Sequence, residues 1–290
     1  MRMPQRLQLF GLIFPTYTWL TVAVLIPIFV MLVFSFLSDV PLGQREPRFT
    51  LENYGRFLSR PVYLRLTLKA IQMGLLVTVG GLVVGYPVAY GLARVVPGRW
   101  RAGLFLLVIV PFWSSSLIRA YSWVIVLGEN GVINQLLKAL RLPSPGLSIL
   151  FSFPAIIVGL IHAYVPYVVL TIYVSLDNID DSLIEAAQSL GANRFQAFLQ
   201  VVLPLSLPGV IAGGVLTFIP ATGSFMEPRV LGGVAGTVIG TIIEDQFISV
   251  FNWPFGAALA FVVLAISASI LLIFSGLLKM SGVLSGGMEL

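Results

Sequence analysis

Few residues of this chain could do chemistry. His162 is the single histidine and there is no cysteine. A lone histidine rules out a multi-His metal centre and leaves no base placed beside a nucleophile as in a Ser-His-Asp triad. Thiol catalysis and thiolate metal sites go with the missing cysteine. Nowhere does the chain read Gly-x-x-x-x-Gly-Lys followed by Ser or Thr, the loop that cradles nucleotide phosphates, so it is not expected to hydrolyse ATP. What is left is charge and aromatic surface set among apolar residues. Arg119 interrupts an apolar run, Glu129 and Glu227 are the nearest acids to follow it on the outer side, and Tyr121, Trp123, Tyr164, Tyr167 and Trp253 supply ring faces. An ionisable side chain at membrane depth is costly and marks a candidate solute path; a carboxylate beside aromatic faces suits an organic cation. Each residue also has a plainer role: Arg119 can snorkel to the surface, the rings can form interfacial belts, and His162 can be a hydrogen-bonded packing residue.

The most informative stretch is polar and runs from Ser182 to Gly191. Ser182 with Glu185 three residues later fits a capping box, Ser at N-cap and Glu at N3. That predicts a helix over Leu183–Leu190, ended by Gly191 in a left-handed C′ position. Asn193 with Gln196 repeats the signature and starts a second helix leading into the membrane through Pro204. The small Ala186 and Ala187 permit close approach by a partner, and Ser182, Glu185, Leu190 and Gly191 belong to the same short segment. The alternative is a plain interfacial hairpin in which Glu185 serves only as a cap.

The elements that position these residues follow from composition. The chain is 58% hydrophobic and 10% charged, with mean hydropathy +0.98, whereas a soluble domain carries about 25% charge. It reads as an all-α integral membrane protein occupying 1–290 as a single domain. A span needs about 20 apolar residues, and six segments qualify, at 10–37, 67–95, 102–127, 151–176, 203–224 and 256–278. The polar stretch falls in a loop at 177–200. The first apolar run is far longer than a signal-peptide core of roughly 7–15 residues, so it is read as a retained helix. The net charge of +5 comes from basic residues near the ends of apolar runs, a pattern of anchoring to membrane lipids and not of nucleic-acid binding. Counting basic residues favours the termini, with Arg2, Arg6, Arg94, Arg99, Arg101, Arg194 and Lys279, on the cytoplasmic side, but only weakly against Arg45, Arg48, Arg56, Arg60, Arg65, Lys69, Lys138, Arg141 and Arg229 outside. Prolines inside several spans, Pro111 among them, are tolerated where neighbours or a cavity satisfy the backbone.

The pattern Glu185-Ala186-Ala187, three residues, Gly191, nine residues, then Val201-Val202-Leu203-Pro204 resembles the EAA motif, the signature loop of permease subunits of binding-protein-dependent ABC importers. Val201 stands where that family usually has Ile. The stretch from Phe112 to Trp123, Gly128 to Asn134, Leu231-Gly232-Gly233 and Asn252 to Gly256 are similar to patterns of the spermidine/putrescine subfamily, covering most of the chain from about residue 60. The resemblance implies a type I importer permease: six transmembrane helices and a cytoplasmic coupling helix at 182–190 that docks in a groove of an ATPase subunit. It also implies both termini in the cytoplasm and a bacterial inner-membrane location. The implied partners are an ATPase dimer that uses ATP and magnesium, a second, similar permease in a heterodimer, and a periplasmic or lipid-anchored solute-binding protein; no cofactor is bound by this chain. The implied cargo is a polyamine or a related amine, opine or amino-acid-like compound. Arg119 and Arg229 would repel a cation, which leaves zwitterionic and anionic solutes open. The rival is an ion-coupled secondary transporter, which would need inverted repeats and embedded carboxylates.

Overall fold

A computed structural model describes residues 5–38, 47–140 and 149–280, with side chains from 13 to 276. The expected anchors Arg2, Arg45 and Arg141 lie outside the described residues, as do the side chains of Arg6 and Lys279. Among the described residues the chain is helical except for one isolated antiparallel bridge, Leu37 to Phe49. In order come α1 (Gln5–Leu20), α2 (Ile26–Ser35), α3 (Glu52–Ser59), α4 (Pro61–Tyr90), α5 (Gly98–Ile109), α6 (Ser116–Leu127), α7 (Val132–Ala139), α8 (Phe153–Asp177), α9 (Asp181–Ser189), α10 (Arg194–Ala197), α11 (Leu203–Gly223), α12 (Met226–Leu231), α13 (Ile239–Ile248) and α14 (Trp253–Met280). Wider π turns follow three of them, at Thr21–Leu25, Gly91–Val95 and Phe198–Val202. An all-helical chain is what lipid demands, since helices satisfy every backbone group internally.

Five helical runs are long and apolar enough to cross a membrane: Ile13–Ser35, Pro61–Val95, Phe153–Asp177, Arg194–Gly223 and Trp253–Gly276. The sequence placed the fourth of these at 203–224; in the structure it begins inside the expected loop, at Arg194, because α10 continues through the π turn into α11. The expected third span at 102–127 is not one helix. It is a pair, Gly98–Trp113 and Ser116–Ala139, bent by 98°. Pro111 withdraws a backbone donor at the end of α5, the chain tightens into a 3-10 turn at Val110–Trp113, and Ser115 caps α6 by accepting from the Leu117 amide at 3.3 Å. Hydropathy registers length and composition but not such a break.

The contacts divide the described residues into two units. In the smaller, reaching to Leu64 and including Ile242–Leu264, polar bonds tie α3 to the end of α2. The Asn53 amide donates to the carbonyls of Ser35 (3.2 Å) and Leu37 (2.8 Å), and the Ser35 and Tyr54 hydroxyls are 2.7 Å apart. Arg56 lies over the Phe255 ring, 4.3 Å from its centroid. Asn252 caps the start of α14, accepting from the Phe255 amide at 3.0 Å.

The larger unit, Arg65–Thr241 with the chain from Ala265, is built around α8. Small residues let its neighbours approach: Gly81 and Gly85 on α4 face Val168, and Gly209 and Gly213 on α11 face Thr171, Ser175 and Val168. Both pairs have the four-residue spacing with which membrane helices pack closely. A β-carbon on Gly209 would come within 2.5 Å of the Thr171 carbonyl oxygen, so only glycine fits that crossing. Val168, Val169, Ile172 and Leu176 on α8 are buried in one cluster with Ala89, Leu92, Ala93, Ile179 and Val202. The end of α4 therefore packs beside the C-terminal end of α8. The chain enters α5 at that end and starts α8 at the other. At 25 residues α8 is about 37 Å long, more than the roughly 30 Å hydrocarbon thickness. Taken as one crossing, the bent pair α5–α7 brings the candidate crossings among the described residues to six.

Candidate functional site

The polar segment after α8 folds as a helical hairpin. Ile179 is buried in the apolar cluster formed by α8 and the end of α4, and the chain turns immediately after it. Asp180, and not Ser182, is consequently the N-cap of α9: its carboxylate accepts from the Ser182 amide at 2.9 Å. These bonds, from the Ser182 amide first and its hydroxyl second, hold the Asp180 carboxyl below the ordinary aspartate range. The helix runs Asp181–Ser189 rather than Leu183–Leu190. Its end is as expected. Gly191 has φ +94, its amide bonds the Gln188 carbonyl (2.9 Å), and the Ala192 amide bonds the Ala187 carbonyl (3.1 Å), the paired bonds of a Schellman motif. The second capping box is present: Asn193 and Gln196 exchange side-chain to backbone bonds at 2.9 Å in both directions.

Ile184 and Phe198 face the membrane core cluster. Ser182, Glu185, Ala186, Leu190 and Gly191 are exposed and Ala187 is half-buried. Glu185 takes no part in the cap and, among the described residues, has no hydrogen-bond or ion-pair partner. Leu190 is 90% exposed, an expensive state for a leucine with nothing over it. Leu183 and Phe195 are exposed as well. Phe195 went unnoticed in the sequence, where its one signal is an aromatic ring in the polar run Asn193–Gln196.

Two arginines counted in the sequence only as membrane anchors hold this hairpin. Arg94, in the π turn after α4, pairs with Asp181 and donates to the carbonyls of Leu176 and Ile179, both at 2.6 Å. Arg101 donates to Asp177 at 3.3 Å and to the Ala93 carbonyl at 2.9 Å. Their signal in the sequence was the acid run Asp177 to Asp181 placed on the same side of the membrane as Arg94 and Arg101.

The candidate path residues are brought together only in part. The short α12 packs on α6 and α8. It carries Glu227, which is 5% exposed and accepts a hydrogen bond from the Ser224 hydroxyl at 2.7 Å. Tyr167 stacks on Tyr164, ring centroids 6.3 Å apart, and meets the edge of Phe112 at 4.7 Å. Arg119 folds back on the break in the third crossing and donates to the carbonyls of Ser114 (2.8 Å) and Pro111 (3.3 Å). Trp123 donates to Nδ1 of His162 at 3.2 Å, so His162 is a hydrogen-bonded packing residue, at the side of an apolar groove of about 480 Å³ between α4, α5, α6 and α8. Tyr121 is exposed. Glu129 stands apart, exposed in the turn between α6 and α7, which is closed by the Asn134 amide on the Gly128 carbonyl at 3.0 Å. Lys69, another residue counted only as an anchor, donates to the carbonyls of Ala235 (2.6 Å) and Thr237 (3.0 Å) and steadies the turn after α12.

With this geometry in hand the chain can be compared with known proteins. Residues 81–280 match the family described as "Binding-protein-dependent transport system inner membrane component". The chain belongs to that family. The permease is 37% identical over 256 residues to the spermidine/putrescine transport system permease protein PotB of Salmonella typhimurium (strain SL1344), with 88% of each chain covered. It is 35% identical over 258 residues to PotB of Haemophilus influenzae, covering 89% of this chain and 90% of the relative. Its fold is that of a chain in a crystal structure of a bacterial ABC transporter that imports the polysaccharide alginate, with TM-score 0.75, 17% identity and 95% and 96% of the two chains covered. The permease is thus a multi-pass inner-membrane subunit of an ABC importer.

Proposed function

We propose that the permease forms half of a translocation path for a polyamine-class cation, driven by an ATPase docked on the α9–α10 hairpin. The observation that carries the substrate class is the identity to spermidine/putrescine permeases across most of the chain. Within the chain, the buried Glu227 carboxylate beside the Tyr164–Tyr167 pair has the chemistry for an ammonium group. On the docking side, Ser182, Glu185, Ala186, Ala187, Leu190 and Gly191 present an uncommitted acid and exposed apolar residues as a helix to be seated in a groove. In this reading the chain crosses six times and both termini lie on the coupling side, the cytoplasm. A second, similar permease completes the pore, two ATPase copies hydrolyse magnesium-bound ATP beneath, and a periplasmic or lipid-anchored binding protein delivers the solute. ATP can drive reorientation only through differential affinity for two states, so the hairpin is where that energy enters.

A second reading, a zwitterionic amine, is favoured by Arg119, a cation on α6, the helix on which the α12 that carries Glu227 packs. Uptake by Glu227→Gln and by Glu129→Gln tests which acid serves the solute. With a cationic solute, Glu227→Gln lowers putrescine uptake by about tenfold, the scale of one lost charged hydrogen bond, while Glu129→Gln leaves it unchanged. Equal uptake by both variants and the wild type contradicts a solute site at Glu227.

A further inference from the structure

We propose that Arg94 is the residue that transmits movement of the docked α9 to the membrane helices. It is a positioning residue, and the proposal rests on the reading of α9 as the ATPase-docking helix. The hairpin is attached to the bundle in two ways. One is apolar: Ile179 and Ile184 lie against Leu92, Ala93 and Leu176. Such contacts are non-directional and permit sliding. The other is directional and converges on one side chain. The Arg94 guanidinium bonds Leu176 in the last turn of α8, Ile179 in the turn, and Asp181 at the start of α9. One rigid, planar group therefore holds three successive parts of the chain at fixed angles. Its side chain is only 13% exposed, which keeps water from competing.

Arg94 is also placed to pass a displacement on. It sits in the π turn Gly91–Val95, where the Val96 amide reaches back to the Gly91 carbonyl at 2.9 Å. A π turn is a wide, weakly held insertion in a helix and often marks a functional site. A push on α9 reaches α4 through Arg94 at the point where α4 winds most loosely. Arg101 ties the preceding residue, Ala93, to Asp177 at the end of α8, so the π turn is also fixed to the helix that leads into the hairpin.

The bonds are unequal. Asp181 is 78% exposed, and an exposed ion pair contributes little. The carbonyl bonds are part-buried and charge-assisted and dominate. Arginine's fork makes all of them at once, which a lysine ammonium cannot. The test uses the complete importer in membrane vesicles, with putrescine as probe, and measures ATPase capture, ATP hydrolysis and uptake per ATP. In Arg94→Ala the ATPase is captured and hydrolyses ATP as in wild type, but uptake per ATP falls by about tenfold. Asp181→Asn stays within about twofold of wild type. Arg94→Lys, which keeps charge and most of the stem, shows the same uncoupling as Arg94→Ala in weaker form and carries the test if Arg94→Ala does not accumulate in the membrane. Wild-type uptake per ATP in either Arg94 variant overturns the proposal. So does loss of ATPase capture in step with uptake, which makes Arg94 a builder of the docking surface only. If the docking reading itself is wrong, ATPase capture survives in a Glu185→Arg variant, a result independent of Arg94.

Discussion

Gly191 shows how one residue shapes the proposed coupling surface. Its φ of +94 is open to glycine and strained for a β-branched residue, at about 1–2 kcal/mol. A β-carbon there meets nothing within 4 Å, so the damage of Gly191→Val is to the turn and not to packing. The variant should accumulate normally, lose the paired bonds that end α9, and lose most ATPase capture and uptake; full uptake in a normally expressed variant contradicts this. Asp180 gives a pH signature. Its carboxyl is depressed in the folded hairpin, so the cap contributes stability above the unfolded aspartate value near 3.9. That contribution is lost as pH falls through the lower folded value. Protection factors of the α9 amides, which divide out the intrinsic pH dependence of exchange, should be flat from neutral pH down to about pH 4 and fall below it, while those of Asp180→Ala are low throughout. The choice of Asp180 over Ser182 was not legible in the sequence because both are good caps. What decides it is tertiary: Ile179 is buried and Arg94 holds its carbonyl, which fixes where the turn begins.

At the scale of elements, the spans were legible because each long apolar run leaves one physical option in lipid. The break in the third crossing was not, although its parts were in view: Pro111 to remove a donor and Ser114, Ser115 and Ser116 to restart a helix. Arg119 was read as a path or snorkelling residue, yet the bend gives it carbonyls to bond, and no pattern in the sequence foretells that fold-back. Close helix crossings were hinted at by glycine pairs and made specific by contacts. Gly209→Leu forces a side chain into the Thr171 and Ser175 backbone and hydroxyl. Overpacking of that kind costs about 1–3 kcal/mol, so the solubilised variant should melt at lower temperature than wild type. Gly91→Leu, with nothing within 4 Å of its β-carbon, should not; an unchanged melt for Gly209→Leu contradicts the packing account.

On the scale of the whole molecule, the proposed function makes the permease an adaptor between ATP hydrolysis on a partner and a path through lipid. It brings a hairpin with an exposed Leu190 and an unpaired Glu185 to one end of α8, and a buried carboxylate with two tyrosines to the α6–α8–α12 cluster. The central claim is that the first of these seats an ATPase. The chain has no cysteine, so a single introduced thiol reports one position only. Leu190→Cys in the assembled importer should cross-link to the ATPase subunit, while Val234→Cys, equally exposed but in the turn after α12, should not. Cross-linking to the ATPase from Val234→Cys and none from Leu190→Cys would contradict the account.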